Sequence, residues 1–285
     1  MRTVSVDGGL SVRALVATGL VAEAAARHGT APTASAALGR ALMGAVLLAA
    51  GAEEDETLQL QFRGDGPVGQ VTVISDHLGR VRGYVGDPSA HPPPRGGKLD
   101  VGAAVGKGIL AVVRHHPAWR EPYSGIVPLV SGEVAEDIAH YLAVSEQTPS
   151  ALGAGVFVES DGSIGAAGGY LVQTLPGVEE AVLERLEVTI RALPSPTALI
   201  RGGLGADGIV DALLGAAGGR ARERSSPRFF CSCSADRVRR AVALLGRDET
   251  REIASRGEVV DVRCEFCATH YRLAPDEVGS LLPDA

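Results

Sequence analysis

Four cysteines are the residues best placed to do chemistry in this chain, and all of them lie in its last fifth. Cys231 and Cys233 sit in RFFCSCSADRV, and Cys264 and Cys267 in VRCEFCATHYRL. The pattern is C-x-C, thirty residues, then C-x-x-C. A C-x-x-C turn between two strands brings two sulfurs to one point while backbone amides face them. An extended C-x-C segment puts two more within reach of the same ion. Four thiolates at about 2.3 Å complete the tetrahedral shell of one Zn²⁺ per chain, and such a shell keeps no open position for activating water. The site is therefore expected to be structural, redox-sensitive or both. A metal-free dithiol site is the alternative. His270, three residues past Cys267, is a competing ligand in principle, but four sulfurs already suffice.

The elements that must hold these sulfurs are expected to be small. DRVRRAVALL and DETREIAS have helical spacing, with Ser234 or Asp236 as a cap. EVVDVR and THYRL are expected to be strands joined by the CEFC turn, and PDEVGSLL closes the chain as a helix. A segment of about 59 residues, 227–285, with few large apolar side chains makes a weak core. A structural zinc supplies roughly 10–16 kcal/mol of apparent binding energy in such modules. The segment is expected to fold only with its metal.

Upstream, the spacing predicts helices over 12–28 and 33–50, then a change of period. Leu58, Leu60 and Phe62 alternate with polar residues, as in a half-buried strand. GDGP is a turn, and QVTVIS and RVRGYV continue a meander. HPPPRGG is a loop, GILAVVR a strand, the stretch after it a second loop, EVAEDIAHYLAVS a helix, and GAGVFVE and GGYLVQT further strands. The expected fold class is α+β: an N-terminal antiparallel-rich sheet domain with helices over 1–175, a metastable helical linker over 176–226, and a small C-terminal zinc-binding domain over 227–285. The linker's helix GVEEAVLERLEVTIRAL presents Val178, Val182, Leu186 and Leu193 on one face. The Gly- and Ala-rich stretch after it weakens any helix by about 1 kcal/mol per glycine.

The net charge of −7 argues against a nucleic-acid or anionic-membrane partner. Residues 41–52 form an apolar run of 12, short of a membrane span and expected to be a buried helix. MRTVSVDGGL has no signal-peptide pattern, so a cytoplasmic address is expected, where clustered thiols serve as metal ligands or redox groups. Gly64, Gly66 and Gly69 match G-x-G-x-x-G but precede a strand, which predicts a hairpin turn. The C-x-x-C motif has no βαβ surroundings, which counts against a thiol–disulfide oxidoreductase. No nucleophile elbow or triad is present, and no enzymatic turnover is expected.

The cysteine pattern resembles the signature of the heat-shock protein 33 family of redox-regulated holdase chaperones. LQLQFRGDGP, GKGILAVV, EPYSGIVPL, GEVAEDIAHYLAVSEQTPS and AAGGYLVQTLP resemble core segments of that family, in the expected order. The resemblance implies a reduced, zinc-bound, inactive state with Cys231, Cys233, Cys264 and Cys267 as ligands. It also implies that oxidants form Cys231–Cys233 and Cys264–Cys267 disulfides and release zinc. The zinc domain and linker then unfold, and a homodimer binds unfolded or oxidatively damaged client proteins. Disulfides so placed would close tiny loops worth about 1.5–2 kcal/mol each, and neither would bridge the thirty-residue gap that the metal spans. Spacing and size thus suit an oxidation-driven unfolding switch.

Overall fold

The computed structural model describes residues 1–215 and 218–281. It separates into two compact units, Met1–Phe229 and Phe230–Ala285. The fold is mixed α+β, as expected.

The N-terminal unit runs β1 (Arg2–Val4), β2 (Leu10–Val16), α1 (Thr18–His28), α2 (Pro32–Ala49), β3 (Thr57–Gly64), β4 (Gln70–Asp76) and β5 (Arg80–Val85). It continues through α3 (Val101–Val105), β6 (Gly108–His115), β7 (Tyr123–Pro128), α4 (Ala135–Val144), β8 (Ser150–Val158) and β9 (Ile164–Thr174). Helices α5 (Glu180–Ala192), α6 (Pro196–Arg201) and α7 (Ala206–Leu214) follow, and β10 (Arg228–Phe229) closes it. One sheet has the order β1-β2-β9-β8, the other β10-β5-β4-β3-β6-β7. Every pairing is antiparallel except the short parallel β10–β5 contact.

Helix α2 is the centre of this unit. It packs on β3, β4 and β5 of one sheet and on β8 and β9 of the other. Pro32 starts it at a position where a missing N–H costs nothing. Apolar and small residues on all its sides leave almost every position from Thr33 to Ala49 buried. Its length and composition would suit a membrane span, but its surface is covered by the protein's own sheets. A side chain at Gly44 would fall 2.4 Å from Ile138 Cδ1, so glycine there is what lets α4 approach.

The alternation in β3 buries Leu58, Leu60 and Phe62 completely. The GDGP segment is a hairpin turn between β3 and β4. A Cβ at Gly66 would lie 2.3 Å from the Ala104 carbonyl, so close backbone approach explains that glycine. Asp137, fully buried at the start of α4, accepts N–H bonds from Val130, Ser131, Gly132 and Val134 and fixes the preceding loop.

Two expectations need correction. Residues 12–16, expected to begin a helix, form most of β2, and α1 starts only at Thr18. Strand β2 lies between β1 and β9 and is buried on both faces, so its residues show no alternation to betray a strand. Val12 and Ala14 join the cluster under α7, while Arg13 faces the other way and donates to the Leu47 carbonyl at 2.9 Å. Burial pulls the Arg13 pKa down to about 10. The stretch expected as a loop before α4 contains β7, an edge strand paired with β6.

Part of the stretch 176–226 packs on the β1-β2-β9-β8 sheet, although α5 buries only Val182. Val182, Leu199, Ile209, Val210, Leu213 and Leu214 form one cluster with Leu10, Val12, Tyr170 and Val172 of β2 and β9. Arg222 pairs with Asp207 at 2.8 Å and with Asp211, and Arg2 bridges to Glu223 through their backbones.

The C-terminal unit contains α8 (Ala235–Ala243), α9 (Arg247–Ser255), β11 (Val260–Arg263), β12 (His270–Leu273) and α10 (Pro275–Gly279). Strands β11 and β12 form an antiparallel hairpin. The Ser234 hydroxyl caps α8, accepting from the Arg237 N–H at 3.3 Å. The expected end of the last helix, Leu282, lies outside the described residues.

Candidate metal centre

The sulfurs of Cys231, Cys233, Cys264 and Cys267 all lie within 4.8 Å of one another. Two sulfur contacts cross between the two sequence pairs: 3.8 Å for Cys231–Cys264 and 3.3 Å for Cys233–Cys267. A tetrahedron with about 2.3 Å metal–sulfur bonds has edges of about 3.8 Å, so the cluster has the size a single ion needs.

Local backbone geometry explains the convergence. Cys231 and Cys233 lie in an extended stretch ahead of the α8 cap, on alternating positions of one side. Cys264 and Cys267 occupy the turn of the β11–β12 hairpin. The Ala268 N–H donates to the Cys264 carbonyl at 2.8 Å, and the Cys264 N–H donates to the Thr269 carbonyl at 2.9 Å. Ala268 itself is left-handed, at φ +57°. Backbone N–H groups face the sulfurs as expected: Cys233 N–H toward Cys231, Phe266 and Cys267 N–H toward Cys264, and Thr269 N–H toward Cys267.

The electrostatics call for a cation. Burial, with neighbouring sulfurs, pushes the Cys231 thiol up to about 12 and raises that of Cys264. Burial also raises Cys267, but hydrogen bonds from the Thr269 hydroxyl and N–H outweigh it and bring this thiol down to about 7. One thiolate is accommodated easily, and its charge opposes the next. A divalent cation removes that conflict, and an all-sulfur donor set suits a soft or borderline ion such as Zn²⁺. On size, amide placement and charge, the residues present fit a bound metal.

His270 does not join the cluster. Its Nδ1 lies 2.8 Å from Asp261 Oδ1 on the exposed side of the hairpin. Nor do the nearby arginines act on the sulfurs directly. Arg237 donates to the Ser232 hydroxyl and carbonyl, and Arg239 spans Asp236 and Glu277. Two residues that the sequence reading missed do reach the sulfurs. The Tyr271 hydroxyl donates to Cys233 Sγ at 3.0 Å, and Thr269 Oγ1 shares a 3.2 Å hydrogen bond with Cys267 Sγ. Their placement two residues apart after Cys267 was a signal, because alternate residues share one side of a strand.

A two-sheet α+β unit wrapped on a central helix, followed by a small unit carrying four clustered thiols, defines a two-unit protein with a site compatible with redox regulation. The chain belongs to the Hsp33 family of chaperones: the family model described as Hsp33 protein matches residues 1–274. It is 40% identical to the "33 kDa chaperonin" of Geobacter sulfurreducens, covering 99% of this chain and 93% of the relative. It is 42% identical to that of Thermus thermophilus, covering 100% and 86%. Among solved structures, the 33 kDa chaperonin of Thermotoga maritima superposes with a TM-score of 0.91 at 34% identity, over 98% of this chain and 96% of the other.

Proposed function

We propose that this chain is a redox-switched holdase of the cytoplasm that performs no enzymatic turnover. In its reduced state Cys231, Cys233, Cys264 and Cys267 hold one Zn²⁺. A bound Zn²⁺ would supply four coordinate bonds joining the stretch before α8 to the β11–β12 hairpin. The residues around it position the sulfurs: the Ser234 cap fixes one pair and the left-handed Ala268 turn fixes the other.

Oxidation to Cys231–Cys233 and Cys264–Cys267 disulfides consumes all four ligands. The C-terminal unit then loses its metal and its long-range connection. It unfolds, as does the linker over 176–226, and apolar surface formerly covered is exposed. The 1–175 domain remains folded, and the activated protein dimerises and holds unfolded or oxidatively damaged clients. The apolar contacts of Leu213 and Leu214 with β2 and β9 illustrate surface that unfolding of α5–α7 would uncover. The acidic net charge disfavours nucleic acid or an anionic membrane as the partner.

The observation that carries this reading is the gathering of four sulfurs, from segments thirty residues apart, in a unit with a very small core. The test is light scattering of a thermally unfolding client with reduced protein and with protein treated with hypochlorous acid. Suppression by the oxidised form alone is expected, and equal suppression by both forms refutes the switch. Sedimentation of the same samples tests the dimer, which requires a higher mass after oxidation.

A further inference from the structure

Helix α5 leaves unfilled space on both of its flanks. Of its 13 residues only Val182 is buried. On one flank a cavity of about 370 Å³ opens between α5, α7 and the start of β2, lined by Val182, Leu186, Leu10, Leu213 and Leu214. On the other flank a cavity of about 200 Å³ separates α5 from β8 and β9, and Leu186 lines that one too.

The larger cavity has the chemistry of a ligand site. Leu10, Leu213 and Leu214 give it a buried apolar floor. Arg185 is the only charged residue that lines it, and this side chain is exposed. Among the described residues, no carboxylate lies within ion-pair distance of Arg185. Asp7 feels its charge but is already engaged by the Ser5 hydroxyl and the Gly9 N–H. The Thr189 hydroxyl is turned back on the Arg185 carbonyl at 2.9 Å, which leaves the guanidinium as the free polar side chain of the cavity. The smaller cavity differs: Glu187 lines it and pairs with Arg191 at 3.1 Å, so an anion is disfavoured there.

Cavities that take small molecules span roughly 300–1,000 Å³ and combine apolar walls with a few polar groups. Apolar walls with one cation at the exposed side match a molecule with an apolar body and a single terminal anion. A hydroxyl-rich ligand would leave its polar groups unpaired against leucine. We propose that the α5–α7 cavity binds one free medium-chain fatty acid, its carboxylate on Arg185 and its chain against Leu186, Leu213 and Leu214. The chain supplies the partner atoms that the lining lacks. Because the site exists only while α5 is docked, the bound acid also holds α5 in place. The site lies wholly within the N-terminal unit and needs no metal, so it stands apart from the redox reading of the cysteines.

The experiment is titration calorimetry of the full reduced chain with sodium decanoate, kept below its critical micelle concentration. Saturable binding of one decanoate per chain is expected. Octanoate, shorter by two methylenes, should bind about tenfold more weakly. Decanol and decylammonium should both bind more weakly than decanoate. Amide exchange in α5 should slow at saturating decanoate, while β3 does not change. Arg185→Gln should weaken decanoate about three- to fivefold and leave decanol unchanged. Thr189→Phe, which fills the cavity from α5, should abolish binding of both.

No saturable binding to the parent overturns the proposal, and the space is then only loose packing around α5. Equal affinity for octanoate and decanoate overturns it, as does decylammonium binding as tightly as decanoate. Undiminished decanoate binding in Arg185→Gln removes the carboxylate assignment. Should Thr189→Phe prove misfolded, Arg185→Gln, at an exposed side chain, decides the matter. Cosedimentation with phosphatidylglycerol vesicles would place the acyl chain in a membrane and overturn the free acid as the ligand.

Discussion

In the N-terminal unit Phe62, Leu60, Leu110, Ile138 and Tyr141 are sealed between two sheets and a helix buried along almost its whole length. In the C-terminal unit the apolar cluster among the described residues is Val242, Leu273 and Val278, flanked by half-buried Val238, Ile253, Ala254 and Val260. Helices α8 and α9 each bury a single residue, Val242 and Thr250. Their remaining surface carries ion pairs such as Arg251–Asp248 and Arg256–Glu252, which are exposed and worth little. Apolar burial stabilises the first unit, and the second lacks the material to do the same.

The sharpest way to break that contrast is to remove the metal. Chelation under reducing conditions, or Cys264→Ser, should withdraw roughly 10–16 kcal/mol of apparent stabilisation from the C-terminal unit. Amide exchange should then become fast across β11 and β12 while β3 and β4 stay protected. Retained protection in the hairpin without metal would mean that the small core suffices alone.

The converse change is Phe62→Ala. It removes a fully buried ring from β3 and should cost about 3–5 kcal/mol, read as a lower melting temperature of the N-terminal unit. Metal content and thiol count should remain at parent values. A loss of metal in this variant would show that the two kinds of stability are not separate.

Much of this contrast was legible in the sequence, for reasons that differ by element. Strand β3 announced itself because one face is buried and the other is not. The cysteines announced their convergence because their spacing suits four sulfurs gathered at one point. Strand β2 was misread because burial on both faces erased its period. Strands β1, β7 and β10 are short or at edges, and Gly125 and Pro128 mask β7 further. The packing of helices α6 and α7 was not legible because glycine propensity is a local quantity, whereas Ile209 and Leu213 meet distant β2 and β9. Tyr271 and Thr269 left only their alternate spacing after Cys267 as a signal, because which sulfur each reaches depends on side-chain direction in a hairpin.

A smaller effect is expected at Asp137, whose carboxylate serves the loop before α4. Asp137→Ala leaves the N–H groups of Val130, Ser131, Gly132 and Val134 without that acceptor. The cost should be about 2–3 kcal/mol, measured by denaturant unfolding of the N-terminal unit. An unchanged midpoint would show that water replaces the carboxylate freely. This loop belongs to the apolar unit, so the thiols should not register the change.

The smallest effect lies near the C-terminal end of the N-terminal unit, at Asp207. Hydrogen bonding from Arg222, helped by Arg224, holds its carboxyl below the usual carboxylate range. A carboxylate whose folded pKa is depressed adds stability above its unfolded pKa, near 4, and loses it as pH falls through the lower folded value. Above pH 5 the contribution is complete, and neutral or alkaline conditions should not alter it. Asp207→Asn at pH 7 should therefore reproduce, locally, what strong acid does to the parent. The pair ties residues 222–224 to α7, so amide exchange at those residues should quicken modestly. Exchange in β3 should not change. Equal exchange at 222–224 in parent and variant would mean that the β1 bridge to Glu223 holds the segment without the ion pairs. That outcome would place the resistance of the 176–226 stretch in backbone pairing and the cluster around Leu213, leaving surface charge no part in setting when it unfolds.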